Sequence, residues 1–473
     1  MADFYRSRRA LSAGSLFFIV FFLFAFIALG YFFYIDQGRF WDYSLYIFIP
    51  AVVVSLILMI FYFVKRSVSG YVFLLFLLIF LTLTILSSFI GPFALINSAR
   101  DSYENSDYSS AISDYEEILE KYPASRYALE ASENIAQAYY LNGDHENAIK
   151  YFQRAVEGGI VDGESIEIIK ILADSNLKLA EHYFDQKEFA AAAEYYLKTV
   201  VHLEEITEKY PDTNDAFIAS YKIPEYLYQA ASSAGSANLW EKSKEILEDA
   251  IKDYPESEYL NQLKDLLFYN ILRHANLLKS NDENRESLEV FLEIFDLDEQ
   301  LRTEKQSDIS YYRRYLFENT PSGTLVQLAN EMYYSAEYEK AMFIYEYILE
   351  NFPDYENTIL ENVIEARIKI IQKDIHEMIV ESDPVGSFAS EETSKVIIEN
   401  RTDYDLTQYI SGPEYRLIRV EKNSKTEIEI SSGSYRIAAE LDNPDMYPFY
   451  GEITYEEGNI YRQVYELKEE ESS

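Results

Sequence analysis

The sequence predicts a multi-domain chain in three parts: three transmembrane α-helices, an all-α solenoid of stacked helix pairs, and a C-terminal small all-β sandwich. Three observations predict it. Long charge-free stretches are confined to the N-terminal part, an aromatic followed by proline closes four later segments, and hydrophobicity changes to period two near the C-terminus.

Charge divides the chain in the same way. Residues 1–99 hold six basic groups (Arg6, Arg8, Arg9, Arg39, Lys65, Arg66) and three acidic ones (Asp3, Asp36, Asp42), whereas all 473 residues together hold 41 Lys and Arg against 80 Asp and Glu. The remainder therefore carries the whole acidic excess. Such a surface cannot release counterions from a phosphate backbone, so nucleic acid is excluded as a partner. The chain has no cysteine, which removes disulfides, thiolate chemistry, cysteine-ligated zinc and lipid attachment to cysteine.

Residues 1–91 are expected to form a membrane anchor. The stretches 10–35, 43–64 and 67–99 lack charge, and each exceeds the about 20 apolar residues that cross a hydrocarbon layer of roughly 30 Å. Helices are expected at 11–34, 44–64 and 71–90, so the lipid bilayer is met through residues 11–90. Pro50 lies inside the second, which a spanning helix tolerates when its neighbours satisfy the freed carbonyl. Tyr31, Tyr34, Phe40, Trp41 and Tyr43 collect at one loop and Tyr62 and Tyr71 at the other, as in an interfacial belt. The positive flanks at Arg6, Arg8 and Arg9 and at Lys65 and Arg66 place the N-terminus in the cytoplasm and residues 92–473 outside it. A signal peptide cut near Ala28 and Gly30 is the competing reading, and it leaves the large part on the same side.

The second part, 92–381, is repetitive. In NIAQAYYLNGDHENAIKYFQRAVEGG, 134–159, small and aromatic residues recur at helical spacing around a turn with glycine. This stretch resembles a tetratricopeptide repeat (TPR): Ile135, Ala136 and Tyr139 on the first helix, Gly143 in the turn, and Ala148, Phe152 and Ala155 on the second. Small residues let the two helices approach, and one pair cannot bury its apolar face alone, so pairs stack. Fainter copies align on Ala111, Ala192, Ser243, Ser287 and Ala341.

The phrases ILEKYPAS, ITEKYPDT, AIKDYPES and ILENFPDY end the second helices, because proline cannot continue helical hydrogen bonding. Pro211 comes late, so its helix is expected to run about two turns longer than usual. Between anchors the spacings are 37, 44, 51, 44 and 54, against the about 34 of a regular array. An irregular solenoid follows. Pro92 is expected at the first position of the first helix, with Leu95 and Ala99 on its packing face. In its YP-ended helices the array resembles the TPR domains of bacterial envelope proteins, including outer-membrane assembly lipoproteins, although it offers no cysteine to lipidate.

SDPVGSFASEETS, at 382–394, is expected to be a linker. Seven short runs of period two follow within 395–468, from KVIIEN to IYRQVYEL, and predict a small β-sandwich. Residues 469–473 form an acidic tail. Asn400, Arg401 and Thr402 make a sequon that reads as a chance match.

No Walker loop, dinucleotide glycine pattern, HExxH or GxSxG occurs. The expectation is a protein without enzymatic activity, cofactor or metal. Partner binding is expected from positions of the first helices that face the groove: Gln137 and Tyr140, Glu181 and Phe184, Asn330 and Tyr333. TPR domains that clamp a C-terminal carboxylate place lysine or arginine there. Here none is present, which points to basic or mixed-polarity protein segments as partners. The chain reads as a membrane-anchored extracytoplasmic scaffold for envelope proteins, with a sensor or transport-accessory subunit as the alternative.

Overall fold

The computed structural model describes residues 37–64, 69–123, 125–159, 165–373, 382–443 and 445–466. The chain divides into two compact units, Met1–Leu263 and Lys264–Ser473.

The first unit begins with two long helices, α1 (Gln37–Val64) and α2 (Ser69–Glu104). They meet at Phe48 and Phe80, whose ring centroids lie 6.5 Å apart. Among the described residues one helix, Leu74–Glu104, is long and apolar enough to cross a membrane, not three. Within α1 the stretch Phe48–Phe61 is apolar. The expected helix at 11–34 lies outside the described residues, as do Lys65 and Arg66.

Pro92 does not start a helix. It lies inside α2, which passes the expected boundary at 91/92 and continues as the first helix of the first repeat. Proline removes one hydrogen bond from the interior of a helix, and packing on both sides of the position offsets that loss. Ile96 and Ala99 are buried in a core shared with Ala111, Tyr115 and Ile118 of the next helix. At Gly91 the ring of Tyr122 comes so close that an alanine Cβ would lie 2.6 Å from its hydroxyl oxygen.

Stacked pairs follow: α2 with α3 (Tyr108–Lys121), α4 (Arg126–Leu141) with α5 (His145–Glu157), α6 (Ile166–Asp185) with α7 (Phe189–Lys209), and α8 (Asn214–Ser236) with α9 (Trp240–Asp253). Two further pairs follow, α10 (Leu260–Ser280), which enters the second unit at Lys264, with α11 (Asn284–Leu292), and later α14 (Ser322–Tyr334) with α15 (Tyr338–Asn351). The anchors Ala111, Ala148, Ala192, Ser243, Ser287 and Ala341 are all fully buried. Twelve positions before each stands an alanine, at 99, 136, 180, 231, 275 and 329, also fully buried. Where serine replaces the anchoring alanine it bonds across the crossing, Ser243 Oγ donating to Ala231 O and Ser287 Oγ to Ala275 O, both at 2.7 Å.

Five positions before each anchor the backbone turns left-handed, at Ser106, Gly143, Lys187, Asn238, Asp282 and Ala336. Each turn closes with the same two bonds, as in Gly143 N to Tyr140 O and Asp144 N to Tyr139 O. These bonds satisfy the carbonyls at the end of the first helix.

The aromatic–proline phrases share one geometry. Tyr122, Tyr210, Tyr254 and Phe352 are each the C-cap of a second helix, with φ between −126° and −135° and the N–H bonded four residues back. A residue before proline is driven out of the α region, and so the helix stops there. With its later proline, α7 has 21 residues where α3, α9 and α15 have 14.

In the second unit a 3₁₀ turn (Glu293–Asp296), α12 (Glu299–Glu304) and α13 (Gln306–Phe317) stand between α11 and α14. They occupy the longest interval between anchors. Helix α16 (Glu356–Lys373) follows α15.

Among the described residues eight strands then follow, β1 (Asp383–Ser387), β2 (Thr393–Asn400), β3 (Leu406–Ser411), β4 (Tyr415–Val420), β5 (Ser424–Ser431), β6 (Gly433–Leu441), β7 (Phe449–Tyr455) and β8 (Asn459–Tyr465). They form two four-stranded sheets, ordered β1-β8-β2-β5 and β4-β3-β6-β7. Strands β2 (Thr393–Asn400) to β8 (Asn459–Tyr465) cover the seven expected runs. Strand β1 (Asp383–Ser387) falls where a linker was expected, and it pairs with β8 at a sheet edge. Its Pro384 and Gly386 disguise it, and an edge is where a strand tolerates proline. Val396, Ile398, Ile430 and Tyr465 of one sheet pack with Leu406, Ile410, Ile437 and Phe449 of the other. The outer face of the second sheet is covered by α16, where Ile364, Ile368 and Ile371 meet Tyr409 and Ala438. Asn400 is 1% exposed and donates to three backbone carbonyls, so the sequon is closed to modification in the folded chain. The tail at 469–473 lies outside the described residues.

Candidate functional site

The second unit contains a cleft of about 430 Å³ lined by the inserted elements, α15 and α16. Its apolar wall includes Phe295, Met342, Phe343 and Ile370. Phe343 is held edge-on by Phe295 and Phe317, at centroid distances of 5.0 and 5.9 Å. Arginine planes cover the rings: Arg302 lies 5.3 Å from the Phe295 centroid and Arg313 lies 4.7 Å from that of Phe343. A guanidinium over an aromatic face gains cation–π attraction.

Most charges of the cleft are paired. Arg302 Nη1 lies 3.1 Å from Glu339 Oε2. Arg367 bonds Glu440 from Nε at 2.9 Å and also from Nη2. Glu440 also accepts from the Tyr409 hydroxyl at 2.7 Å, which ties the cleft floor to β3 (Leu406–Ser411) and β6 (Gly433–Leu441). Also from α16, Glu365 accepts from Ser411 Oγ and, at 2.6 Å, from Arg436 Nη2. Glu346 differs, since it makes no hydrogen bond or ion pair among the described residues and yet lines the cleft. The residue is exposed. Desolvation raises its pKa above the ordinary carboxylate value, against the pull of Arg367 and Arg313.

The residues expected to bind a partner are not all free to do so. Tyr140 donates to Asp174 Oδ2 at 2.8 Å, joining α4 to α6. Asn330 accepts from the Tyr345 hydroxyl at 2.6 Å and from Asn362 Nδ2 at 2.9 Å, so its oxygen is spent inside the helix stack. Tyr333 packs edge-on against Tyr338 at 5.8 Å. Gln137, Glu181 and Phe184 are exposed, with Glu181 paired to Lys178 at 2.9 Å and Phe184 edge-on to Phe189 at 5.5 Å. In the first unit, then, Gln137 and Phe184 remain available on the surface.

Sequence reasoning missed Arg302, Glu346 and Arg367. The available signal was the 54-residue interval between Ser287 and Ala341, which marks added structure. It does not reveal which side chains face a cleft. Among the described residues no group of three His, Asp or Glu is placed to hold a metal ion.

Comparison with known proteins addresses the helix pairs. Residues 96–162 and 225–257 match models described as tetratricopeptide repeat. The chain carries tetratricopeptide repeats. Among solved structures it is similar to the TPR domain of P58(IPK), with TM-score 0.25 and 14% identity, covering 63% of this chain and 70% of that one. A kinesin light chain-type protein of Podosopora anserina with nearly identical TPR-like repeats gives TM-score 0.19 and 16% identity over 42% of this chain and 90% of that one. A TPR protein of Parabacteroides merdae gives 0.17 and 13% over 58% and 98%. Scores this low carry no argument about function.

Proposed function

We propose that the chain is a membrane-anchored extracytoplasmic scaffold that binds other envelope proteins through its TPR solenoid. The observation that carries this reading is the array of six helix pairs with one shared crossing and turn, an architecture that presents protein-binding surface rather than a catalytic centre. The apolar run of Leu74–Glu104 supports anchoring, and the acidic excess of the chain favours partners with basic segments, by speeding encounter more than by adding affinity.

The absence of cysteine makes localisation directly testable. Ser432→Cys should react with a membrane-impermeant maleimide in intact cells and Ser69→Cys only after lysis. The opposite pattern would put the repeats in the cytoplasm and overturn the envelope reading. Crosslinking in intact membranes should recover a protein partner that a Gln137→Ala, Phe184→Ala variant loses, and recovery of none would overturn the scaffold reading.

One observation favours the alternative of a sensor or transport-accessory subunit. Helix α2 runs unbroken from its apolar half into the first repeat, so a ligand captured outside would act on the apolar helices without an intervening linker. Replacing residues 1–85 by an unrelated spanning helix should abolish activity under this view and preserve it under the first.

A further inference from the structure

The cleft of the second unit has two carboxylates left over. Arg302 is matched by Glu339 and Arg367 by Glu440, whereas the carboxylates of Glu346 and Glu299, both lining the cleft, have no hydrogen bond or ion pair among the described residues. Glu346 projects from α15 one turn beyond Met342 and Phe343. It is exposed and stands beside the apolar wall, so an occupant of the cleft would cover both.

We propose that this cleft seats one arginine or lysine side chain from a segment of a partner protein, with Glu346 as its counter-charge. The proposal rests on the scaffold reading above and gives the partner a chemistry. A neutral occupant would strip the remaining water from Glu346 and return nothing, which is the costly way to bury a charge. An anionic occupant would meet the carboxylates of Glu346 and Glu299, while Arg302 and Arg367 already carry Glu339 and Glu440 as counter-charges and Arg302 keeps only its Nε, a buried donor, without a partner. A cationic side chain satisfies Glu346, and its aliphatic stem lies along Phe295, Met342 and Phe343, since long basic side chains cover apolar surface while their heads stay polar. About 430 Å³ admits one such side chain with its backbone and excludes a folded domain.

The test uses the full chain in detergent micelles and four hexapeptides that differ only at one central residue, Arg, Lys, Gln or Glu, next to a benzoylphenylalanine. The Arg and Lys peptides should bind about tenfold tighter than the Gln peptide, a modest value for a partly desolvated charge pair. Their photoadducts should fall on the 295 or 342–343 segments. The preference should disappear in Glu346→Gln and persist in Glu346→Asp. Equal binding of all four peptides, adducts elsewhere, or a preference that survives Glu346→Gln would overturn the proposal. Adduct position and charge preference are read on the unaltered chain, so a variant that fails to fold does not decide the matter. Crosslinking in intact membranes separates the two readings. Partners recovered without a cation preference sink the cleft alone, and a cation preference without any recovered partner sinks the scaffold alone.

Discussion

In the first unit, Ala136 with Ala148 and Ala180 with Ala192 occupy two fixed positions of a helix crossing, and a phrase such as YPDT leads directly from α7 to α8. In the second unit, Ala275 with Ser287 and Ala329 with Ala341 occupy the same positions, yet a 3₁₀ turn and two helices stand between those pairs, and a β-sheet covers α16. The crossings are alike and the connections are not. The cleft thus arises from what is inserted between repeats, whereas the repeats themselves spend their small and aromatic residues on packing.

The comparison breaks most visibly at Phe317. This ring is fully buried and lies edge-on to Phe343 and Tyr347, at 5.9 and 5.0 Å. Phe317→Ala should cost about 3–5 kcal/mol, as for other large aromatic truncations, measured by urea unfolding followed by circular dichroism. A cost near that of a surface change would mean that the insertion is held by something other than this aromatic cluster.

Equivalence of the crossings is tested by Ala136→Leu and Ala329→Leu, one in each unit. Overpacking a close helix contact should cost about 1–3 kcal/mol in either place. If only one of the two variants is destabilised, the crossings differ despite their shared pattern.

The smallest effect concerns Glu346. Desolvation raises its pKa, so over the interval between the ordinary and the raised value the folded chain holds a proton that the unfolded chain has released. Stability contributed at this site is therefore lost as pH rises through that interval. Glu346→Gln should raise Tm near neutral pH, with the gain vanishing below the ordinary carboxylate range. A variant less stable than the parent at neutral pH would show the ionised carboxylate to be satisfied after all.

The helix pairs were legible because packing leaves a local record: Ala148, Phe152 and Ala155 lie within one helix and face one core. Turns were less so. Only Gly143 among the six left-handed positions is glycine, and Ala336 gives no turn signal at all. Strand β1 was hidden by Pro384 and Gly386, whose tolerance depends on the edge position that only the assembled sheet defines. The cleft escaped because Phe295, Arg302, Glu346 and Arg367 come from four separate elements, and no periodicity links them. The bonds that Asn330 accepts from Tyr345 and Asn362 were hidden for the same reason, since those partners lie on two other helices.

Helix α2 touches α1 through Phe80 and α3 through Ala99, so one rod carries two neighbours at a fixed angular phase. Each residue of an α-helix adds about 1.5 Å of rise and one part in 3.6 of a turn. Inserting a single residue between those contacts would swing α1 by about 100° around the first repeat, while a seven-residue insertion would nearly restore its bearing at a greater height. The number of residues between Phe80 and Ala99 thus acts as a gear setting, in which count matters more than side-chain identity.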